Sequence, residues 1–282
     1  MNKIGIFVNQ SRDPKLDFAR RTAEALLERG KTVLVDHELK DELLIKGAQY
    51  ISYDEMIKSS NLVVALGGDG TILKIIGEAA EYDTPVIGIN LGHLGFLTQA
   101  EKGDDEIFDL IADGNFTINR VMMLKARIFK DGAATPFVYA LNDIIFRGTD
   151  SKMISLEAEV DGTVTNRYLA DGIIISTPTG STAYSLSCGG PIIHQDLDCI
   201  TLTPVCPHTL KSRCIVVPPE SRIVLRFDEG YPSLPEVKAD GQIIGTLSGG
   251  DYIEIIKSER RASLAVLDGH NYFDVIRKKL SD

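Results

Sequence analysis

The densest chemical signal in the sequence is Gly67-Gly68-Asp69-Gly70-Thr71. Three glycines in four positions remove side chains, so backbone N–H groups can approach a phosphate closely. The segment follows an apolar run at 62–66 and precedes a helical pattern. A strand's carboxyl end and a helix N-terminus therefore meet there, and both favour an anionic ligand. Asp69 is itself an anion in that setting. It could bind a metal, accept a hydroxyl proton, or cap the helix, with the glycines then serving only a tight turn. Neither the G-x-x-x-x-G-K-[ST] phosphate loop nor G-x-G-x-x-G is present. Gly88, Gly92 and Gly95 are spaced to shape a loop through 90–96. Lys74, one helical turn past Thr71, is either a phosphate contact or an exposed helix lysine.

A second segment, 171–185, runs from an apolar strand into a loop crowded with hydroxyls and interrupted by Pro178 and Gly180. Such a loop can grip a base, a ribose or phosphates, or it can satisfy its own backbone. Tyr184 offers a ring for stacking and a hydroxyl. Asn142-Asp143 breaks the apolar run 139–146, and the two side chains point to opposite faces of a strand. Either one meets a ligand cleft or the pair marks a bulge. His208 stands alone beside Pro207 and reads as structural. The cysteines, Cys188, Cys199, Cys206 and Cys214, form no C-x-x-C, and no histidine pair has metal spacing.

These residues need elements to hold them. Short apolar runs at 3–9, 32–35, 62–66 and 85–90 alternate with helical patterns that begin at Asp13-Pro14, Ser52, Thr71 and Asp104. Ser52 with Glu55 forms a capping box. The alternation predicts an α/β domain with a mainly parallel, Rossmann-like sheet. After about residue 115 the runs 124–129, 137–146, 154–160, 172–176, 222–227 and 252–256 dominate. Asp131-Gly132, Asp161-Gly162 and Asp240-Gly241 supply hairpin turns between them. A mostly antiparallel β domain, a β-sandwich, follows. The expected division is 1–115, then 116–266, then a C-terminal helix within 267–282 that packs back on the first domain. A cleft between the domains is the default ligand site. The chain has 282 residues and a formal charge of -10, with 44% apolar residues. That composition suits packed cores and argues against a nucleic-acid partner, because the net field repels phosphate at long range. No run is long enough to span a membrane and the first residues do not form a signal peptide, so a cytoplasmic protein is expected.

Taken together the motifs resemble the ATP-NAD kinase family, bacterial type, from Ile4 to Leu280. Gly67-Gly68-Asp69-Gly70-Thr71 is also similar to a motif of lipid kinases and phosphofructokinases. The narrowing set is Leu141-Asn142-Asp143, Ala170-Asp171-Gly172, 176–187, Gly189-Gly190-Pro191, Leu202-Thr203-Pro204 with Pro207-His208, and Asp240-Gly241-Gln242. The resemblance implies transfer of the γ-phosphoryl of ATP to the 2′-hydroxyl of the adenosine ribose of NAD. It implies Asp69 as base and dinucleotide contact, and Gly67, Gly68, Gly70, Thr71 and Lys74 on the phosphates, with Gly70 also near NAD. Asn142, Asp143, Ala170, Asp171, Thr182, Ala183, Tyr184, Ser185, Leu186, Ser187 and Gln242 would line the dinucleotide. It further implies Mg²⁺ or another divalent cation carried by ATP, and a homodimer or homotetramer. Asp143 stands where many relatives carry Glu, Cys188 where Ala is usual, and Cys214 where Pro is usual. Rival readings are a lipid or sugar kinase with the same glycine motif, and a non-enzymatic nucleotide sensor.

Overall fold

The structure, a computed structural model, describes residues 2–92, 95–149, 153–209, 211–227, 235–269 and 271–280. The chain divides into two compact units, 1–120 with 262–282, and 121–261.

The first unit begins β1 (Lys3–Val8), α1 (Asp17–Glu28), β2 (Thr32–Asp36), β3 (Gln49–Ile51), α2 (Tyr53–Ser59) and β4 (Leu62–Gly67). It continues through α3 (Asp69–Glu81), β5 (Val86–Asn90), β6 (Thr98–Glu101) and α4 (Glu106–Asp113). The strands pair in parallel in the order β3-β2-β1-β4-β5-β6. β4 and β5 are buried at every residue, which is why the sequence shows them as unbroken apolar runs. Ile4, Ile6, Val64, Leu66 and Ile87 pack with Ala19, Ala23 and Leu26 of α1 in one core. The sequence places the first helix at Asp13-Pro14, but α1 starts at Asp17. Leu16 takes a left-handed φ of 55°, and Asp13 Oδ2 accepts the Ala19 N–H at 2.9 Å. Residues 13–16 are thus a turn that caps the helix from outside. Ser52 Oγ accepts the Glu55 N–H at 3.4 Å and caps α2.

The second unit takes in the later part of β7 (Phe116–Lys130), then β8 (Ala133–Ala134), β9 (Val138–Ala140), β10 (Asp143–Gly148), β11 (Ile154–Val160) and β12 (Thr163–Ala170). β13 (Gly172–Ser176), the short helix α5 (Tyr184–Ser187), β14 (Ile200–Val205), β15 (Ile215–Val217) and β16 (Ile223–Phe227) follow. β17 (Pro235–Ala239), β18 (Gln242–Thr246) and most of β19 (Tyr252–Leu267) complete it. One sheet runs β15-β14-β13-β10-β17-β18, and the other carries β12-β11-β16-β19 with β7 against β19. Phe146, Ile173, Ile175 and Leu202 of the first sheet share a core with Leu156, Tyr168, Leu225 and Ile253 of the second. This is a β-sandwich. Each Asp-Gly dipeptide turns a hairpin with positive φ at both residues: 48° and 81° at 131–132, 51° and 81° at 161–162, 45° and 81° at 240–241. The run 137–146 is two strands, because the chain breaks at Leu141-Asn142 between β9 and β10. The chain closes with α6 (Tyr272–Leu280). No helix of the described residues is long and apolar enough to cross a membrane.

Candidate functional site

β4 delivers the chain to Gly67, and α3 begins at Asp69 with Gly68 as its cap residue. Thr71 Oγ1 accepts the Gly68 N–H at 3.2 Å and closes the first turn. Asp69 does not cap α3. Its carboxylate reaches the loop before β6, where Oδ2 accepts the Phe96 N–H at 2.8 Å. Oδ1 accepts the Leu97 and Thr98 N–H groups at 3.1 and 3.3 Å. Two carboxylate oxygens offer about four acceptor positions, so the three amides among the described residues leave one open, on Oδ2. Gly95 lies directly against this group, and a Cβ there would overlap the carboxylate. Thr98 Oγ1 accepts the Gly95 N–H at 2.8 Å, and Asn90 Oδ1 accepts the Gly92 N–H at 2.8 Å. A cavity of about 470 Å³ opens here, lined by Arg12, Gly68, Asp69, Gly70, Asn90, Gly92 and Gly95. Lys74 is exposed and borders a different cavity of the same unit.

The second unit builds a similar clamp around Asn142. Asp240, in the β17–β18 turn, accepts the Leu141 N–H at 2.7 Å through Oδ2. Its Oδ1 accepts the Asn142 and Asp143 N–H groups at 2.8 and 3.2 Å. Burial pushes the Asp240 carboxyl up, against the three amides that pull it down. Gly180 presses on the Asn142 carbonyl so closely that a Cβ would not fit. Thr177 N–H donates to that same carbonyl at 2.9 Å, and Thr177 Oγ–H to the Leu141 carbonyl at 2.6 Å. Asp143 is only 4% exposed. Burial, and then the Asp240 charge, push its carboxyl up to about 7.

Four hydroxyls of 176–187, those of Ser176, Thr177, Ser181 and Thr182, donate to backbone carbonyls. Ser181 Oγ donates to the Pro178 carbonyl at 2.6 Å and accepts the Ile193 N–H at 3.0 Å. Ser185 is buried, with its Oγ 2.9 Å from Thr203 Oγ1. Thr182 Oγ–H donates to the Thr179 carbonyl at 3.2 Å. Tyr184, at 38% exposure, and Ser187 face outward, while Ala183 and Leu186 are half-buried. Cys188 packs on Ile145, Ile174 and Val205, as a small apolar group would. Gln242 is exposed at the start of β18, just past the Asp240 turn. Ala170 is buried at the end of β12. Asp171 precedes β13, whose far end, Ser176, pairs with Asp143. At about 3.3 Å per residue that separates Asp171 from the Asn142 turn by more than 13 Å, so only an extended ligand touches both.

Two sequence profiles match the chain: the ATP-NAD kinase N-terminal domain over residues 4–113 and the ATP-NAD kinase C-terminal domain over residues 141–267. The chain belongs to the ATP-NAD kinase family. It is 39% identical to an NAD kinase of Thermoanaerobacter sp. (strain X514) over 293 residues, covering 100% of both. It is 42% identical to an NAD kinase of Symbiobacterium thermophilum over 223 residues, 78% of each chain. Among solved structures it is similar to yeast NADH kinase complexed with NADH, with a TM-score of 0.83 and 26% identity, covering 99% of this chain and 87% of that one. It is also similar to an NAD kinase from Archaeoglobus fulgidus in complex with ATP, with a TM-score of 0.75 and 26% identity, covering 98% of each.

Three contributors escape sequence reasoning. Asp240 enters only as half of a turn dipeptide and as part of the Asp240-Gly241-Gln242 segment of the family resemblance, with nothing to show the amides it holds, and Asn90 and Arg12 carry no motif. The one usable signal is the glycine spacing at 88, 92 and 95, which marks the loop whose amides hold Asp69.

Proposed function

We propose that the protein is an NAD kinase that transfers the γ-phosphoryl group of ATP to the 2′-hydroxyl of the adenosine ribose of NAD, giving NADP and ADP. The observation that carries this is Asp69: a carboxylate oriented by three amides, with one acceptor position open beside a glycine-bordered cavity. In this reading Asp69 Oδ2 takes the 2′-hydroxyl proton as that oxygen bonds to the γ-phosphorus and the bond to ADP breaks. Base assistance contributes about 10²–10⁴-fold. Phosphoryl transfer asks chiefly for positioning and charge neutralisation. The Gly67, Gly68, Gly70 and Thr71 turn, in which the Gly68 and Thr71 N–H groups bond within the turn, lets the phosphates approach the backbone at the α3 N-terminus, and exposed Lys74 adds a cation. Asp69 and Gly70 also border the acceptor ribose.

The β-sandwich unit supplies the dinucleotide contacts in the same reading. Asn142 and Asp143 are held in place by Asp240. Thr182, Ala183, Tyr184, Leu186 and Ser187 line the adenine side, and Gln242 closes it. Ser185 acts by holding Thr203 beneath them. Ala170 and Asp171 take the far end of the extended molecule. Among the described residues no group of three or more His, Cys, Asp or Glu could hold a metal. With Asp69 Oδ2 given to the hydroxyl proton, a Mg²⁺, or another divalent cation, would be carried mainly by the phosphate oxygens of ATP. When bound, that cation neutralises developing phosphate charge. The assembly is a homodimer or homotetramer, which light scattering measures.

Substituting Asp69→Asn separates kinase from nucleotide sensor. Turnover is expected to fall at least about 10²-fold, with NAD affinity largely retained. Unchanged turnover removes the base assignment.

A further inference from the structure

The first sheet of the β-sandwich carries, on its outer face, a cation that the proposed chemistry does not use. Ile144 and Phe146 of β10 point into the core between the sheets, so alternation places Asp143, Ile145 and Arg147 on the other face. Ile145 packs there with Ile174 of β13, Val205 of β14 and Cys188, the residue after α5. Ser185 of α5 meets Thr203 of β14 on the same face, its Oγ 2.9 Å from Thr203 Oγ1. The short helix that begins at Tyr184 therefore lies across the face that bears Arg147.

Arg147 is half-buried, and its guanidinium forms no ion pair or hydrogen bond with the described residues. Its cross-strand neighbour on β17 is Glu236, but that carboxylate is engaged by Lys238 Nζ at 3.0 Å. On β13 its neighbour is Gly172. A Cβ at Gly172 would collide with the Phe146 carbonyl oxygen and come within 2.8 Å of the Arg147 Cβ, so the missing side chain gives Arg147 its room. Burial, and then the neighbouring Cys188, push the Tyr184 hydroxyl up, while the Arg147 charge acts against them. The cation is thus within electrostatic reach of that ring.

A dinucleotide that touches both Asn142-Asp143 and Asp171 carries its two bridging phosphates between them. Asp171, and Asp143 when ionised, repel those phosphates, and the whole chain has a formal charge of -10. Arg147 stands about 13 Å from Asp143 along β10. It is also beside Asp171, whose carbonyl accepts the Gly148 N–H at 3.0 Å. A planar guanidinium on a long stem offers phosphate oxygens two parallel N–H donors. We propose that Arg147 binds the diphosphate bridge of the dinucleotide and offsets the acidic surroundings of its site. This rests on the kinase reading above. It makes Arg147 a determinant of acceptor affinity, with no part in the transfer step.

Calorimetric titration with NAD and steady-state kinetics compare wild type with Arg147→Ala, Arg147→Gln and Arg147→Lys. The Gln variant keeps much of the stem without the charge, and the Lys variant keeps the charge without the fork. Arg147→Ala and Arg147→Gln are expected to weaken NAD about tenfold or more in both Kd and KM, the scale of hydrogen bonds to a charged group. Arg147→Lys should recover part of that loss. In all three variants kcat at saturating NAD and the KM for ATP should stay within about twofold of wild type. NAD affinity within about twofold of wild type in the Gln variant, or a Lys variant no better than Gln, overturns the proposal, because the charge then does not matter. A rise in the ATP KM in place of the NAD KM overturns it too, since the cation would then serve the donor phosphates. If wild type binds NAD but makes no NADP, the kinase reading fails while the NAD titrations still decide Arg147. If wild type does not bind NAD, both fall.

Discussion

Asp69 and Asp240 do the same structural work in different units, with different consequences. Each accepts the N–H groups of three successive residues, 96–98 for Asp69 and 141–143 for Asp240. A glycine is also pressed against each clamp, Gly95 on the Asp69 carboxylate itself and Gly180 on the clamped Asn142 backbone. The difference is access. Asp69 borders a cavity of about 470 Å³ and keeps an acceptor position open. Asp240 sits in a hairpin turn where burial raises its pKa, and it presents Asn142 and Asp143 rather than itself. One clamp aims its own carboxylate at a ligand; the other uses its carboxylate to aim neighbours. The same bonding pattern therefore predicts loss of chemistry at one aspartate and loss of structure at the other.

The largest effect should come from Asp240→Ala, which leaves three amides without their charged acceptor. A loss of at least about 3 kcal/mol of stability is expected, measured by urea denaturation. The new residue must also hold a φ of 45°, which alanine resists. A loss below about 1 kcal/mol would break the comparison, because the amides would then have found other partners. Gly95→Ala should act in the opposite way. Its Cβ displaces the Asp69 carboxylate, so turnover falls about tenfold to 10²-fold while the melting temperature changes little. Unaltered turnover would show that the position of Asp69 is not critical.

Asp143→Asn gives the smallest effect, read from pH. The Asp143 carboxyl titrates near 3.8 at its ordinary value and near 7 in the fold. Between those values the folded chain binds more protons than the unfolded one, so stability from this group is full below about pH 4 and falls as pH rises to 7. Replacing the carboxyl by an amide removes that fall. The melting temperature of Asp143→Asn relative to wild type should therefore be higher at pH 8 than at pH 5. An equal difference at both values would contradict the burial-raised pKa.

The sequence makes one clamp far more legible than the other. The glycines around Asp69, the apolar β4 run and the α3 periodicity all lie within a short stretch, so a strand-loop-helix site can be read directly. Asp240 reaches back 97 to 99 residues to its amides, and no local pattern announces a contact of that span. The Asp-Gly spacing conceals it further, because the hairpin accounts for both residues without using the side chain. The hydroxyl-rich loop is legible only in part. Its composition suits ligand contact, yet Thr177, Ser181 and Ser185 are consumed by nearby backbone and side-chain bonds. The early start expected for α1 fails because Leu16 adopts a left-handed conformation that propensity does not foresee.

The most direct measurement is to incubate the purified protein with NAD, ATP and Mg²⁺ and to analyse the product by mass and by an NADP-specific dehydrogenase. The account predicts a product one phosphate heavier than NAD that the dehydrogenase reduces, formed by wild type and almost absent with Asp69→Asn. NAD bound without any phosphorylated product, or a product the dehydrogenase does not accept, would contradict it.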